Sequence, residues 1–358
     1  MTDRDVIAIL GAADPEMERI EAMLTRVGVR CGYALDARGS RVRGADAYSA
    51  VGVDGTRRVG AHGEVVYLIE CAVSSESMLC LDLDGCEVVT IDHHRPGDPG
   101  YGQPPEEFLP ASSLGQVLAE LARLGRLPPE WPQRDDWSGY CLGAISGPPW
   151  AVCTRSGEKG RVVRWTVSDS VGLDEQSTLA EIPRDLVLAA AADHCLPHAY
   201  AGWCPGVDPD ELMRWRVQTR AAFQGRPVEA VLADIEVSRR LLRQANLGRW
   251  GGSKGVLCAD LRPGKGVVCA HHFKCDGRTP QCWADTPELP EAAAREGIPF
   301  LGVPRPATGA TRQKVVLMGD HRGEAVRAFL GGWAAADGLV DLYGDPARGF
   351  AGGYREAT

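Results

Sequence analysis

Apolar positions along the chain come in short runs separated by amphipathic stretches. Val6-Ile7-Ala8-Ile9-Leu10 is uninterrupted, and the pattern around it predicts a buried strand over residues 5–13. At Asp14 it gives way to Pro15-Glu16-Met17-Glu18-Arg19-Ile20-Glu21-Ala22-Met23-Leu24, which predicts a helix with Asp14 placed to cap it. Glu64–Ile69 predicts a second strand ending at Glu70, and Glu87–Ile91 a third ending at Asp92-His93-His94. Behind Ala111-Ser112-Ser113, the residues Leu114, Val117, Leu118, Leu121 and Leu124 share one helical face. Leu186–Ala192 predicts an apolar helix ending in Asp193-His194, and Asp208-Pro209 opens another. Val231, Ile235, Leu241 and Leu242 mark a helix over 228–247, followed by the glycine-rich stretch 248–255, which reads as a hinge. Strand patterns return at 255–258, 267–269, 299–301 and 314–318, whereas residues 128–182 carry no periodic pattern.

Short apolar strands alternating with helices predict an α/β fold. The expected architecture has two domains, the N-terminal one a largely parallel sheet flanked by helices, with a smaller C-terminal α/β domain. The expected boundaries are 1–225 for a metal-binding catalytic domain, 226–252 for a helical linker and hinge, and 253–358 for a substrate-binding domain. In such parallel sheets ligands collect outside the carboxyl ends of the strands. Asp14, Glu70 and Asp92 all fall there.

A length of 358 residues agrees with two domains. The chain has 39 Lys plus Arg against 48 Asp plus Glu, a net charge of −9, which argues against coating long duplex nucleic acid but not against a small phosphate-bearing substrate. The opening apolar run is too short for a signal segment or a membrane span, so a cytoplasmic protein with no membrane partner is expected. Its 12 cysteines are too sparse for a disulfide scaffold and read as mostly buried free thiols. Cys269, His271, His272, Cys275 and Cys282 could bind zinc, although their spacing is not a standard paired pattern.

Asp14-Pro15-Glu16, Glu70, Asp92-His93-His94 and Asp193 form a scattered set of oxygen and imidazole donors. Taken singly, Asp14 reads as a helix cap rather than a ligand, and Asp193-His194 as local compensation of a helix end. Gathered at one sheet edge, the carboxylates would repel one another unless a divalent cation neutralised them. Hard oxygens with imidazoles suit Mn²⁺ or Mg²⁺.

Val88-Val89-Thr90-Ile91-Asp92-His93-His94 resembles the signature of the DHH phosphoesterase superfamily, which includes RecJ-type exonucleases, nanoRNases, cyclic-dinucleotide phosphodiesterases and manganese pyrophosphatases. Asp14-x-Glu16 resembles the first motif of that superfamily, Glu70 with its small-residue turn the second, and Asp193 the fourth. The resemblance implies a pair of Mn²⁺ or Mg²⁺ ions held by Asp14, Glu16, Glu70, Asp92, His93 and Asp193. It makes Asp92 the bridge between them and turns His94 to the scissile phosphate. Glu16 and Glu70 stand where the family has aspartate, and Leu10 where pyrophosphatase-like members have a histidine. Arg348-Gly349-Phe350-Ala351-Gly352-Gly353-Tyr354 resembles the family's substrate-gripping loop, which makes Arg348, Gly352, Gly353 and Tyr354 candidate substrate-binding residues. Arg305, Arg312 and Lys314 are further basic candidates. The implied function is hydrolysis of a phosphodiester or phosphomonoester of a nucleotide or short single-stranded oligonucleotide. The alternatives are a non-catalytic nucleotide-binding or complex-forming member and a pyrophosphatase-like hydrolase. Oligomeric state is not legible.

Overall fold

A computed structural model describes residues 5–44, 47–54, 64–72, 86–127, 182–247, 256–258, 269–271, 283–284, 288–304, 312–336 and 338–356. The chain is α/β and divides into two compact units. One comprises the chain to Gln103 with Glu107–His194, the other Pro104–Glu106 with Cys195 onward. The expected boundary at 225 thus falls between two helices of the second unit, and the glycine stretch 248–255 lies outside the described residues. Among the described residues no helix is long and apolar enough to cross a membrane.

The first unit is built on a five-stranded sheet in the order β3-β2-β1-β4-β5. Its strands are β1 (Val6–Leu10), β2 (Arg30–Leu35), β3 (Gly52–Asp54), β4 (Val65–Ile69) and β5 (Glu87–Ile91). Pairs β1/β2, β1/β4 and β4/β5 are parallel, and β3 runs antiparallel to β2. Every residue of β1 and β4 is buried, as expected for central strands covered on both faces. Alternate residues Ile7, Ile9, Val66, Leu68 and Val88 pack with Val42, Ala47 and Ala50 on one face. On the other, the Tyr67 hydroxyl reaches Glu120 Oε2 at 3.1 Å, on the helix behind β5.

Three helices frame the carboxyl edge of this sheet. Helix α1 (Pro15–Arg26) begins at Asp14, whose carboxylate accepts from the Met17 amide, with Pro15 at the first helical position. Four residues, α2 (Phe108–Ala111), lead into α3 (Ser113–Arg123), capped by the Ser112 hydroxyl on the Gly115 amide. Helix α4 (Arg184–Tyr200) leaves helical geometry at Cys195 (φ −148°, ψ 46°), just before Pro197, which has no N–H for the Asp193 carbonyl. Because β1 lies between β2 and β4, the chain goes to one side of β1 and then to the other. That reversal opens a crevice at the carboxyl ends of β1 and β4.

The second unit carries a mostly antiparallel sheet in the order β11-β12-β10-β9-β6-β7, with β8 alongside β9. Its strands are β6 (Val256–Cys258), β7 (Cys269–His271), β8 (Trp283–Ala284), β9 (Phe300–Pro304), β10 (Arg312–Met318), β11 (Val340–Asp345) and β12 (Phe350–Glu356). Leu301, Val315, Leu317, Val326, Phe329, Trp333 and Ala351 form its core. Helices α5 (Pro209–Gln224), α6 (Val228–Leu247) and α7 (Leu289–Glu296) are tied together by buried acids. Glu291, 1% exposed, takes Arg216 on Oε2 at 3.0 and 2.7 Å and the Tyr200 hydroxyl on Oε1. Glu288, at the start of α7, takes Arg220 at 2.6 Å and Gln224 at 2.8 Å.

Burial opposes the charge on Glu291, but the Arg216 charge and hydrogen bonds outweigh it and hold the carboxyl below its ordinary value. The stabilisation is therefore complete above the ordinary glutamate range and is lost as pH falls through the lowered folded value. Glu291→Gln is expected to destabilise the chain at neutral pH by on the order of 3 kcal/mol, because it strands Arg216. In urea unfolding, the difference between variant and parent should shrink as the pH is lowered.

Candidate metal centre

Gly11 and Glu70 bring the ends of β1 and β4 together. The Gly11 amide donates to the Ile69 carbonyl at 2.9 Å, and a β-carbon on Gly11 would stand 2.3 Å from the Glu70 carbonyl oxygen. Only glycine fits this approach. Glu70 itself has φ +49°, the left-handed region that costs a side-chain-bearing residue about 1–2 kcal/mol. Its amide donates to the Ile91 carbonyl at 3.0 Å, which locks the β4 end to the β5 end. The Glu70 side chain is thereby held in the crevice, 7% exposed.

Around it the chain assembles two groups of donors, Glu70/His93/His94 and Glu16/Glu70/Asp193, each with one ligand atom per residue within 4.8 Å of the others. Glu70 is common to both. Fully buried His93 places Nε2 2.8 Å from Asp193 Oδ2 and 3.8 Å from Glu70 Oε1. Glu16, in the first turn of α1, accepts from the Leu114 amide on Oε1 at 3.0 Å, at the amino end of α3. Its Oε2 and Glu70 Oε1 are buried without a hydrogen-bond partner among the described residues. Asp14 caps α1 through Oδ1 at 2.7 Å, so its cap role is real, and it also belongs electrostatically to the cluster. Burial and the Asp193 charge push its carboxyl up to about 6, with the Met17 amide and His94 opposing. Burial, then Asp193 and Glu70, drive Glu16 well above its ordinary value. Burial also raises Glu70 well above its own, with Asp193 and Asp14 adding to it and His94 opposing.

Asp92 differs from these acids. Its Oδ1 accepts from the His93 amide at 2.7 Å, the His94 amide at 3.1 Å and His94 Nδ1 at 2.8 Å. Its Oδ2 accepts from the Tyr48 hydroxyl at 2.8 Å. Burial opposes its charge, yet the His94 hydrogen bond and the His94 and His93 charges lower it to about 2. Asp92 was expected to bridge the ions; its Oδ1 faces His94 and its Oδ2 the Tyr48 hydroxyl, and among the described residues Glu70 is the acid common to both donor groups. The Gln116 amide group clamps the Asp92 backbone from both sides. Its Oε1 accepts from the Asp92 amide at 3.2 Å, while its Nε2 donates to the Asp92 and Ala111 carbonyls, each at 2.9 Å. Sequence reading missed Tyr48 and Gln116. Gln116 was traceable as an amide within the buried apolar stretch Leu114–Ala119, but Tyr48 carried no signal.

In the second unit the expected gripping loop is a strand. Gly352 and Gly353 lie within β12, laddered to β10 on one side, and Gly352 also pairs with Tyr343 of β11 on the other. Their glycine identity follows from neighbours across the sheet. A β-carbon on Gly352 would meet the Tyr343 hydroxyl at 2.3 Å, and one on Gly353 would meet Leu342 Cδ2 at 2.7 Å. Tyr354 is 5% exposed with the Arg312 guanidinium 4.9 Å from its ring, so it offers no open stacking face. Arg348, 2% exposed, lies with its guanidinium 4.5 Å from the Phe350 ring. Arg312 pairs with Asp341 at 2.5 Å, and Lys314 Nζ lies 5.7 Å from the Tyr343 ring. For the zinc candidate, Cys269 and His271 belong to β7, while His272, Cys275 and Cys282 lie outside the described residues, as does Arg305.

The raised carboxyls of Asp14, Glu16 and Glu70 make one contribution to the pH dependence of the metal-free chain. A folded value above the unfolded one gives stability at low pH that is lost as pH rises from the ordinary carboxylate value through the raised one. Glu70→Gln is expected to raise the melting temperature of the metal-free chain at neutral pH and to abolish the further rise caused by Mn²⁺ in the parent, both read by thermal unfolding. Gln116→Leu, which takes the partner from the buried Asp92 amide while the Asp92 carbonyl keeps the Gly100 amide, is expected to lose about 1–3 kcal/mol in urea unfolding. Set against known proteins, the chain has no match among family models, curated proteins or solved structures.

Proposed function

We propose that the chain is a divalent-metal-dependent phosphoesterase of the DHH type, acting on a phosphodiester or phosphomonoester of a nucleotide or short single-stranded oligonucleotide. The observation that carries the reading is the convergence of Glu16, Glu70, His93, His94 and Asp193, distant in sequence, into two donor groups sharing one acid. The buried oxygens Glu16 Oε2 and Glu70 Oε1 fit a cation, since a positive charge there would reverse the electrostatics that raise their carboxyls. Glu16, Glu70, His93 and Asp193, with Asp14 beside them, would hold Mn²⁺ or Mg²⁺. Such ions, when bound, lower the pKa of a water and stabilise the attacking and leaving oxygens of a phosphoryl centre.

The chain's own residues supply the rest. Asp92 takes His94 Nδ1, so Nε2 would be the nitrogen that takes a proton from water and, once protonated, donates to a phosphate oxygen. The closed hydrogen-bond frame of Tyr48, Asp92 and Gln116 fixes that ring before substrate arrives. The net charge of −9 favours a small substrate over long polyanions. Leu10, fully buried in β1 where pyrophosphatase-like members have a histidine, favours a nucleotide ester over pyrophosphate.

The test is a screen of a short RNA and DNA oligomer, a nucleoside bisphosphate and pyrophosphate, each with Mn²⁺, Mg²⁺ and no metal. Nucleotide or phosphate release from the nucleotide substrates is expected with metal only, lost on His93→Ala and Glu70→Ala by at least about 100-fold. Failure of the chain to bind divalent ions in calorimetry would refute the reading.

A further inference from the structure

We propose that Tyr48 is a positioning residue which, acting through Asp92, dictates which nitrogen of His94 is presented to substrate. What His94 then does rests on the phosphoesterase reading, whereas the positioning itself rests on geometry.

Tyr48 is 44 residues from Asp92 in sequence and belongs to no motif, yet its hydroxyl supplies the donor on Asp92 Oδ2 at 2.8 Å. The other oxygen, Oδ1, already serves the His93 amide, the His94 amide and His94 Nδ1 at 2.7, 3.1 and 2.8 Å. With both oxygens engaged, the carboxylate has no reason to turn about its Cβ–Cγ bond. Oδ1 therefore stays opposite His94 Nδ1 and keeps a hydrogen there, so that whenever the ring is neutral its lone pair lies on Nε2. Asp92 is 1% exposed, so water is poorly placed to replace a missing donor. Without the Tyr48 hydroxyl, a buried charged oxygen would be left to compete for the donors on Oδ1, and the hold on the imidazole would loosen.

Two further features keep Tyr48 in this role. The Arg95 guanidinium carbon lies 3.5 Å from the centre of the Tyr48 ring, holding the ring flat beneath it. Burial, and then the Asp92 charge, drive the phenol far above its ordinary value, so it remains a donor throughout the working pH range. Arg95 follows His94 directly, so the same short segment carries both the oriented ring and the cation that stacks on its orienting residue.

The test uses the full, metal-free chain labelled with ¹⁵N-histidine, in which long-range ¹H–¹⁵N spectra above neutral pH report the tautomer of each of the eight histidines. His94→Gln identifies the His94 signal. In the parent chain, His94 is expected wholly as the Nδ1–H tautomer. In Tyr48→Phe it is expected to become a mixture, and replacing Tyr48 by 3-fluorotyrosine, which keeps the hydroxyl, is expected to restore the single form. With Mn²⁺ and the oligonucleotide substrate, kcat of Tyr48→Phe is expected to fall about 10- to 100-fold with KM little changed. An Nε2–H tautomer in the parent, or an unchanged Nδ1–H tautomer in folded Tyr48→Phe, would overturn the proposal. Where the phenylalanine variant does not fold, 4-fluorophenylalanine at position 48, close to the phenol in size but unable to donate, takes its place, with the same mixture expected and an unchanged Nδ1–H tautomer overturning the proposal. A parent with no turnover but a Tyr48-dependent tautomer would instead overturn the phosphoesterase reading and leave the positioning intact.

Discussion

Carboxylates gathered out of water repel one another, and the first unit is organised around that repulsion. Glu16 and Glu70, nearly as buried as Asp92, have carboxyls raised by burial and by neighbouring acids, as has half-buried Asp14, whereas Asp92 is lowered. The difference lies in partners rather than depth. Asp92 collects donors on both oxygens, and the other acids do not. The same crevice thus holds an acid already compensated by the protein and others whose compensation must come from elsewhere. The backbone contributes as well, since Glu70 is held in a left-handed conformation that its side chain does not favour.

The second unit handles buried acids in the opposite manner. Glu288 and Glu291 each meet arginine, and Glu296 takes Arg239 at 2.6 Å together with Arg243. Guanidinium groups neutralise these carboxylates permanently, because arginine stays protonated at any accessible pH. In the first unit, the cationic groups facing the acid cluster are mainly imidazoles. Permanent pairing suits a scaffold, and incomplete pairing suits a place where an ion or substrate is to be received.

Much of this was legible in the sequence because parallel strands buried on both faces read as continuous apolar runs. Val6–Leu10 and Val65–Ile69 therefore announced themselves, and the partly buried edge strand Glu87–Ile91 did so through Val88, Val89 and Ile91, together with the acids at their ends. Strands β2 and β3 did not, since their residues are only partly buried and mix polar with apolar positions. Strand β12 was read as a loop because its paired glycines look like a flexible turn. Their reason is the Tyr343 and Leu342 side chains of the neighbouring strand, which no local pattern shows. Asp193 was traceable only through the order of motifs. The roles of Tyr48, Gln116 and the shared Glu70 arise from contacts between residues far apart in sequence, so they became visible only when the chain was folded.

The frame also divides the two oxygens of individual side chains between different duties. Glu16 spends Oε1 on the amino end of α3, and Asp14 spends Oδ1 on the first turn of α1. An arm built in this way can grip with a single atom and cannot wrap around its guest as a chelating carboxylate does. Large, loosely coordinated ions such as calcium draw on such two-pronged grips, whereas small octahedral ions do not need them and fill their remaining positions with solvent or phosphate oxygen. Were the proposed ions bound, the tethering of α1 and α3 would favour a small octahedral ion through the architecture of the helices.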